Sequence, residues 1–225
     1  MEKKINIAII PVRGGSKRLP RKNILPLKGL PLLVHSILYA QENQDVIDEI
    51  IVSTDDIEIK KIALQYGVTV IDRPSELSGD HTSTVTVLKH VLENYNAPVE
   101  NVILLQATNP LRPKQMLAQA FEQYTAGNYD SLMSVSRNYE KLGEIIGHKF
   151  VPFNYKQGQR SQDLNPLYSE NGLLYISKAS IIKEEKILGK ENFPFIVNHP
   201  FAKVDIDVLE DLKYATFVLN TYLNE

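Results

Sequence analysis

The chain has 225 residues, 43% of them hydrophobic and 23% charged, which suits one soluble globular domain. A net charge of −2 gives no global pull toward nucleic acid or an anionic membrane, and the lack of cysteine excludes disulfides and thiolate chemistry. Met1-Glu2-Lys3-Lys4 leads into a short apolar run and then proline, too short for a signal peptide or a membrane span, so the chain reads as cytoplasmic.

Strand-like and helix-like segments alternate from the start. Residues 5–11 form an apolar run that reads as a buried first strand. The segment after it packs two glycines, Ser16 and five cations (Arg13, Lys17, Arg18, Arg21, Lys22) into residues 13–22. A helix is predicted over 31–43, with Leu33, Ile37 and Ala40 on one face. A second strand over 49–53 ends in Thr54-Asp55-Asp56, and either aspartate can cap the helix that carries Ile59, Ile62, Ala63 and Tyr66. Gly67 stops that helix. A short β-branched strand over 68–71, a helix over 84–95, a core strand over 102–105, a helix over 114–124 and a strand over 131–135 follow. This alternation predicts a mainly parallel sheet covered by helices on both faces, a three-layer α/β nucleotide-binding domain.

The pattern breaks near residue 138. Residues 138–169 are polar, rich in glycine and proline and without a sustained period, and read as an irregular arm inserted into a single domain of residues 1–225. Regular structure resumes with a strand over 172–177. A last helix over 208–223 buries Val208, Leu212, Ala215, Leu219 and Tyr222.

The chemistry gathers at strand ends, where open α/β sheets bind ligands. A Gly-rich turn after a strand, flanked by cations, suits a polyphosphate. The segment lacks the Gly-Lys-Ser/Thr ending of a P-loop, and the dinucleotide fingerprint is absent. Ser53 to Asp56 follows the second strand, Arg73-Pro74 the third, and Gln106 to Arg112 the fourth. In Asp205-Ile206-Asp207 an extended backbone puts both carboxylates on one side, where they can hold a hard cation. The competing role is that Asp207 caps the last helix. The five histidines form no metal-spaced pair.

Ile-Pro-Val-Arg-Gly-Gly-Ser-Lys-Arg-Leu-Pro-Arg-Lys-Asn, residues 10–23, resembles the signature of the acylneuraminate cytidylyltransferases, the CMP-nonulosonate synthetases. Only Val12 stands where that family prefers alanine. The later family motifs occur in order: Ser-Thr-Asp at 53–55, Arg-Pro at 73–74, Gln-x-Thr-x-Pro-Leu-Arg at 106–112, Asn-Gly at 171–172 and Asp-Ile-Asp at 205–207. The resemblance implies a nucleotide-diphospho-sugar transferase-like fold. It implies a reaction in which CTP and a nonulosonic acid give CMP-sugar and pyrophosphate with Mg²⁺. N-acetylneuraminate is the favoured acceptor, and legionaminic, pseudaminic and 3-deoxy-manno-octulosonic acids are alternatives. A non-catalytic nucleotide-binding relative is the alternative of another class.

The resemblance also implies roles. Arg13, Gly15, Ser16, Lys17 and Lys22 would hold the triphosphate, while Asn23, Arg73 and Thr84 would contact the cytidine. Gln106, Arg160, Gln162 and Asn171 would form the sugar site, and Asp205 and Asp207 would bind the metal. Arg13, Lys22, Asp205 and Asp207 would carry the catalysis. Where the family often shows Arg-Arg-Gln-Asp, this chain has Arg160-Ser161-Gln162-Asp163, which leaves open what grips the sugar carboxylate. In the family the arm packs on a second subunit, so a homodimer is expected, with no nucleic acid or membrane partner.

Overall fold

A computed structural model describes residues 4–222. The N-terminal Met1-Glu2-Lys3, and the end of the last predicted helix at Leu223, lie outside the described residues.

Strand β1 (Ile5–Pro11) is an inner strand of the main sheet. Ile7, Ala8, Ile9 and Ile10 are all fully buried, as a strand covered on both faces requires. The chain then forms two short strands, β2 (Pro26–Leu27) and β3 (Leu30–Pro31), and helix α1 (Leu32–Gln41). Strand β4 (Glu49–Thr54) and helix α2 (Ile57–Gln65) follow. Asp56 is the cap of α2: its Oδ1 accepts from the Glu58 and Ile59 amides at 2.8 and 3.0 Å. Asp55 is thereby free for the first loop. Gly67, at φ +72°, turns the chain into β5 (Thr69–Asp72).

Helix α3 (Thr84–Glu93), strand β6 (Val99–Leu104), helix α4 (Met116–Ala126) and strand β7 (Ser131–Asn138) complete the predicted alternation. Beyond them come β8 (Gly143–Ile146), β9 (Lys149–Pro152), β10 (Leu167–Lys178), α5 (Ala179–Lys183), β11 (Asn192–Ile196) and α6 (Leu209–Tyr222). The main sheet has seven strands in the order β11-β7-β10-β6-β1-β4-β5. All its pairs are parallel except those of β10, which runs antiparallel to β6 and β7.

Ala8 and Ile10 face a core with α1, α2 and α4, through Leu33, Ile37, Ala63 and Leu117. Ile7 and Ile9 face α3 and α5, through Leu88, Val91 and Ile182. The three-layer expectation therefore holds. A third cluster seats α6 (Ala215, Val218, Leu219) on Leu27, Leu32, Val204 and Ile206, which ties the Asp205–Asp207 segment to the body.

Two features depart from the predicted elements. Strand β11 has Pro194 at its middle, which reads against a strand. It survives because β11 is an edge strand that pairs only with β7. The arm is also more regular than its composition indicates. Strands β8 and β9 form a hairpin through Gly147 and His148, both at positive φ (53° and 64°), the geometry of a tight two-residue hairpin turn. Strand β10 reaches back to Leu167, pairing Leu167 with Asn138.

The register of β10 against β7 then slips between Glu170 and Tyr175. Gly172 lies in that bulge at φ +75°, where a Cβ would meet Asn109 Oδ1 at 2.7 Å, so only glycine fits. None of the described helices is long and apolar enough to cross a membrane.

Candidate active site

The loop after β1 is pinned before it meets any ligand. The Val12 amide donates to the Ser53 carbonyl (3.0 Å) and the Gly14 amide to Asp55 Oδ1 (3.0 Å). A Cβ at Gly14 would strike Asp56 Oδ2 at 2.6 Å, so glycine permits this close approach. Buried Asn23 donates from Nδ2 to the Arg13 carbonyl at 2.9 Å.

This loop forms one wall of a cleft of about 450 Å³ at the carboxyl ends of β1, β5 and β6. Arg13, Ser16, Lys17, Lys22, Asn23, Arg73, Thr84, Gln106 and Asp207 line it, bringing together residues scattered over most of the sequence. The volume suits a nucleotide. Gly15 sits on the same loop with open space around it.

Each of the five loop cations meets a protein carboxylate. Arg13 Nη1 lies 2.9 Å from Asp80 Oδ1, and Lys17 pairs with the same carboxylate. Arg18 Nη2 and Lys22 Nζ lie 2.7 and 2.8 Å from the two oxygens of Asp207. Arg21 pairs with Glu58. The Asp80 carboxylate thus occupies two of the cations that the sequence assigns to the triphosphate, and they hold its pKa below the usual range. Asp80→Asn should tighten CTP binding by about two- to fivefold at low salt, by removing a competing anion. Calorimetric titration of both proteins checks this, and weaker binding would mean that Asp80 chiefly orients Arg13.

Arg73 is buried at the cleft floor, donating from Nε to Ser53 Oγ (3.2 Å) and from Nη2 to the Ser53 carbonyl (2.6 Å). Burial lowers its pKa to about 10, so it stays charged at neutral pH. Arg112, in a motif with no role assigned to it from sequence, is also buried, with no carboxylate partner among the described residues. It donates to the Leu173 carbonyl (2.7 Å), Ser36 Oγ (3.0 Å) and the Gln106 carbonyl (2.9 Å), fixing the loop after β6 to β10.

Gln106 is shared with a second cleft of about 280 Å³ that also has Glu170, Asn171, Tyr175, Lys203 and Asp205 on its walls. Asn171 builds this wall with its amide engaged: Oδ1 accepts from Ser134 Oγ (2.6 Å) and Nδ2 donates to Ser136 Oγ (3.0 Å). Tyr175 donates to Glu170 Oε2 at 3.0 Å, and burial pushes its pKa up. Arg160 and Gln162 line neither cleft of their own protomer. Both are exposed on the arm, and Arg160 is held by Asp163 at 2.8 and 3.1 Å.

Asp205 and Asp207 link the clefts, one on each. Ile206 between them is fully buried, and the two carboxylates lie near enough for the charge of Asp207 to act on Asp205. Burial and the Asp207 charge raise the Asp205 pKa, despite a hydrogen bond from the Thr108 side chain. Burial acts in the same direction on Asp207, but Lys22 and Arg18 outweigh it and its pKa is lowered. The cap of α6 is Asp211, whose Oδ2 accepts from the Asp207 and Val208 amides at 2.8 and 2.9 Å. The Asp207 carboxylate is therefore not a helix cap.

This pair fits a magnesium ion. Both donors are hard oxygens, and the two carboxylates stand two residues apart at the junction of the clefts. No group of three or more acidic or histidine residues with metal-binding geometry occurs among the described residues. The remaining ligands would be water and phosphate oxygens, as Mg²⁺ commonly prefers.

A cation-lined loop after a strand, a buried arginine at the cleft floor and a carboxylate pair between two clefts form an arrangement that suits nucleotidyl transfer. The chain matches the cytidylyltransferase family over residues 7–224 and belongs to it. It is 34% identical to the pseudaminic acid cytidylyltransferase of Campylobacter jejuni, covering 93% of this chain and 94% of that protein. It is 34% identical to an N-acylneuraminate cytidylyltransferase of Streptococcus agalactiae, over 91% of this chain and 51% of that protein. It is 32% identical to the CMP-N,N'-diacetyllegionaminic acid synthase of Legionella pneumophila, over 89% and 90%. The fold is shared with a CTP-complexed CMP:2-keto-3-deoxy-manno-octonic acid synthetase (TM-score 0.72, 16% identity, 97% of this chain and 99% of that one).

Proposed function

We propose that the enzyme transfers the cytidylyl group of CTP to the anomeric hydroxyl of a nonulosonic acid, with N-acetylneuraminate as the favoured acceptor. The observation that carries this reading is the pairing of two clefts across Gln106, Asp205 and Asp207, one cation-lined and one polar. The relatives support the acceptor class, since three of them are named for acids of this kind.

In this reading Arg13, Ser16 and Lys17 hold the triphosphate once Asp80 is displaced, and Arg73, Asn23 and Thr84 hold the cytidine. Lys22 neutralises charge at the reacting phosphate. Asp205 and Asp207 would hold Mg²⁺, which when bound supplies charge neutralisation on the phosphate oxygens. The acceptor oxygen forms a bond to the α-phosphorus as the bond from it to the β-phosphate oxygen breaks. Pyrophosphate leaves and the hydroxyl proton is lost to a base or water. No covalent enzyme intermediate is needed, so catalysis rests on positioning and electrostatics.

We read the active form as a homodimer and, since CTP is an intracellular nucleotide, its setting as the cytoplasm. Ile145 (81% exposed) and Phe153 (70%) stand in the open with Tyr139, Ile146 and Phe150, an apolar patch that a second copy would cover. The acceptor is tested by pyrophosphate release from CTP with N-acetylneuraminate, legionaminic, pseudaminic and 3-deoxy-manno-octulosonic acids. N-acetylneuraminate should give the highest kcat/KM. A tenfold preference for another acid would reassign the acceptor within the same chemistry.

A further inference from the structure

We infer that Lys203, at the rim of the second cleft, grips the acceptor's carboxylate. This rests on the reading above and deepens it. A nonulosonic acid carries its carboxylate on the anomeric carbon, next to the hydroxyl that attacks phosphorus. That carboxylate must therefore lie close to Asp205 and Asp207. The cleft wall contributes two carboxylates, Asp205 and Glu170, so an anionic acceptor enters an acidic setting. A cation is needed to offset the repulsion.

Lys203 is the sole cation among the residues that line this cleft. It stands at the end of the short 3-10 turn Pro200–Lys203, two residues before Asp205. Phe201, Val204 and Ile206 anchor this turn and the segment after it in the core beneath α6, which fixes where the lysine emerges. The loop cations of the first cleft all have carboxylate partners. No ion pair or hydrogen bond of the Lys203 side chain is found among the described residues, so its ammonium is available to a ligand. Arg160, the candidate from sequence, lines neither cleft of its own protomer.

The test compares Lys203→Met, Lys203→Arg and Arg160→Ala with the unmodified enzyme, using N-acetylneuraminate and its methyl ester as charged and neutral acceptors. Lys203→Met should raise the KM for the acid about 10- to 100-fold, the scale of one charge-assisted hydrogen bond. It should leave the KM for CTP within about twofold and erase most of the preference for acid over ester, while Lys203→Arg retains that preference. An unchanged acid KM in Lys203→Met would overturn the assignment. A CTP KM raised as much as the acid KM, or a preference lost in Arg160→Ala and kept in Lys203→Met, would do so too. No turnover by the unmodified enzyme with any nonulosonic acid would overturn the functional reading itself.

Discussion

Asp207→Asn should lower turnover by at least about a hundredfold, the scale of removing one strong electrostatic contribution at a transition state. The substitution keeps the shape of the side chain and removes its charge. Asp211 supplies the helix cap, so α6 should still form. What is lost is the carboxylate that would help hold the metal and that pairs with Lys22, only 12% exposed, and with Arg18. Lys22 is then left nearly buried without its partner, and the loss should also lower Tm by roughly 2–4 °C, the shift expected for about 1 kcal/mol in a chain of this size.

Asp205→Asn should match Asp207→Asn in turnover and oppose it in stability. The lowered pKa of Asp207 means that its charge stabilises the fold at neutral pH, a contribution lost only as pH falls below about 4. The raised pKa of Asp205 means that the fold disfavours its charge, so removing the charge at neutral pH should leave Tm unchanged or higher. Thermal denaturation at pH 7 and steady-state kinetics on both variants check the pair. Near-normal turnover in Asp207→Asn would remove the metal role, and a fall in Tm in Asp205→Asn would contradict the account in which desolvation and then the Asp207 charge disfavour the Asp205 charge.

Introducing charge on the arm should abolish turnover without unfolding the protein. Ile145 and Phe153 are exposed, so Ile145→Asp combined with Phe153→Asp costs the isolated protomer little. In a dimer each of these side chains would gain roughly 1.5–3 kcal/mol from burial, and a buried carboxylate would reverse that gain. Sedimentation should show a dimer for the unmodified enzyme and a monomer for the double variant. CTP should still bind, because the first cleft is built within one protomer. Turnover should fall by about a hundredfold or more, because Arg160 and Gln162 of the arm, assigned to the acceptor site, line neither cleft of their own protomer and reach such a site only across a dimer. Unmodified protein that sediments as a monomer at micromolar concentration and turns over normally would contradict the dimer.

Much of this architecture is legible in the chain because its signals are local. A continuous apolar run marks β1, Gly67 marks the end of α2, and glycine followed by clustered cations marks the anion loop. Where the sequence offered two candidates, geometry decided between them. Asp56 caps α2 while Asp55 holds Gly14, and Asp207, offered as a helix cap or a metal ligand, turns its carboxylate to Lys22 and Arg18. Strand β11 was hidden by Pro194, since edge position is a tertiary property. The β8–β9 hairpin was hidden because its turn places His148 at positive φ, which composition does not announce.

The residues missed at the site share one trait. Asp80, Arg112, Glu170 and Lys203 act through contacts or clefts that join distant parts of the chain, as Arg13 meets Asp80 and Arg112 meets Leu173. Arg112, Glu170 and Lys203 stand in or beside recognisable motifs, but the contact or cleft each one enters is set by distant parts of the chain.

The central claim is that the cation-lined cleft takes CTP as a substrate for transfer. It is tested most directly by measuring pyrophosphate release with N-acetylneuraminate and Mg²⁺ from CTP, UTP, ATP and GTP in parallel. The account predicts release that depends on the acceptor, with CTP preferred over each of the other three nucleotides. Comparable release from ATP, or release from CTP that does not depend on a nonulosonic acid, would contradict it.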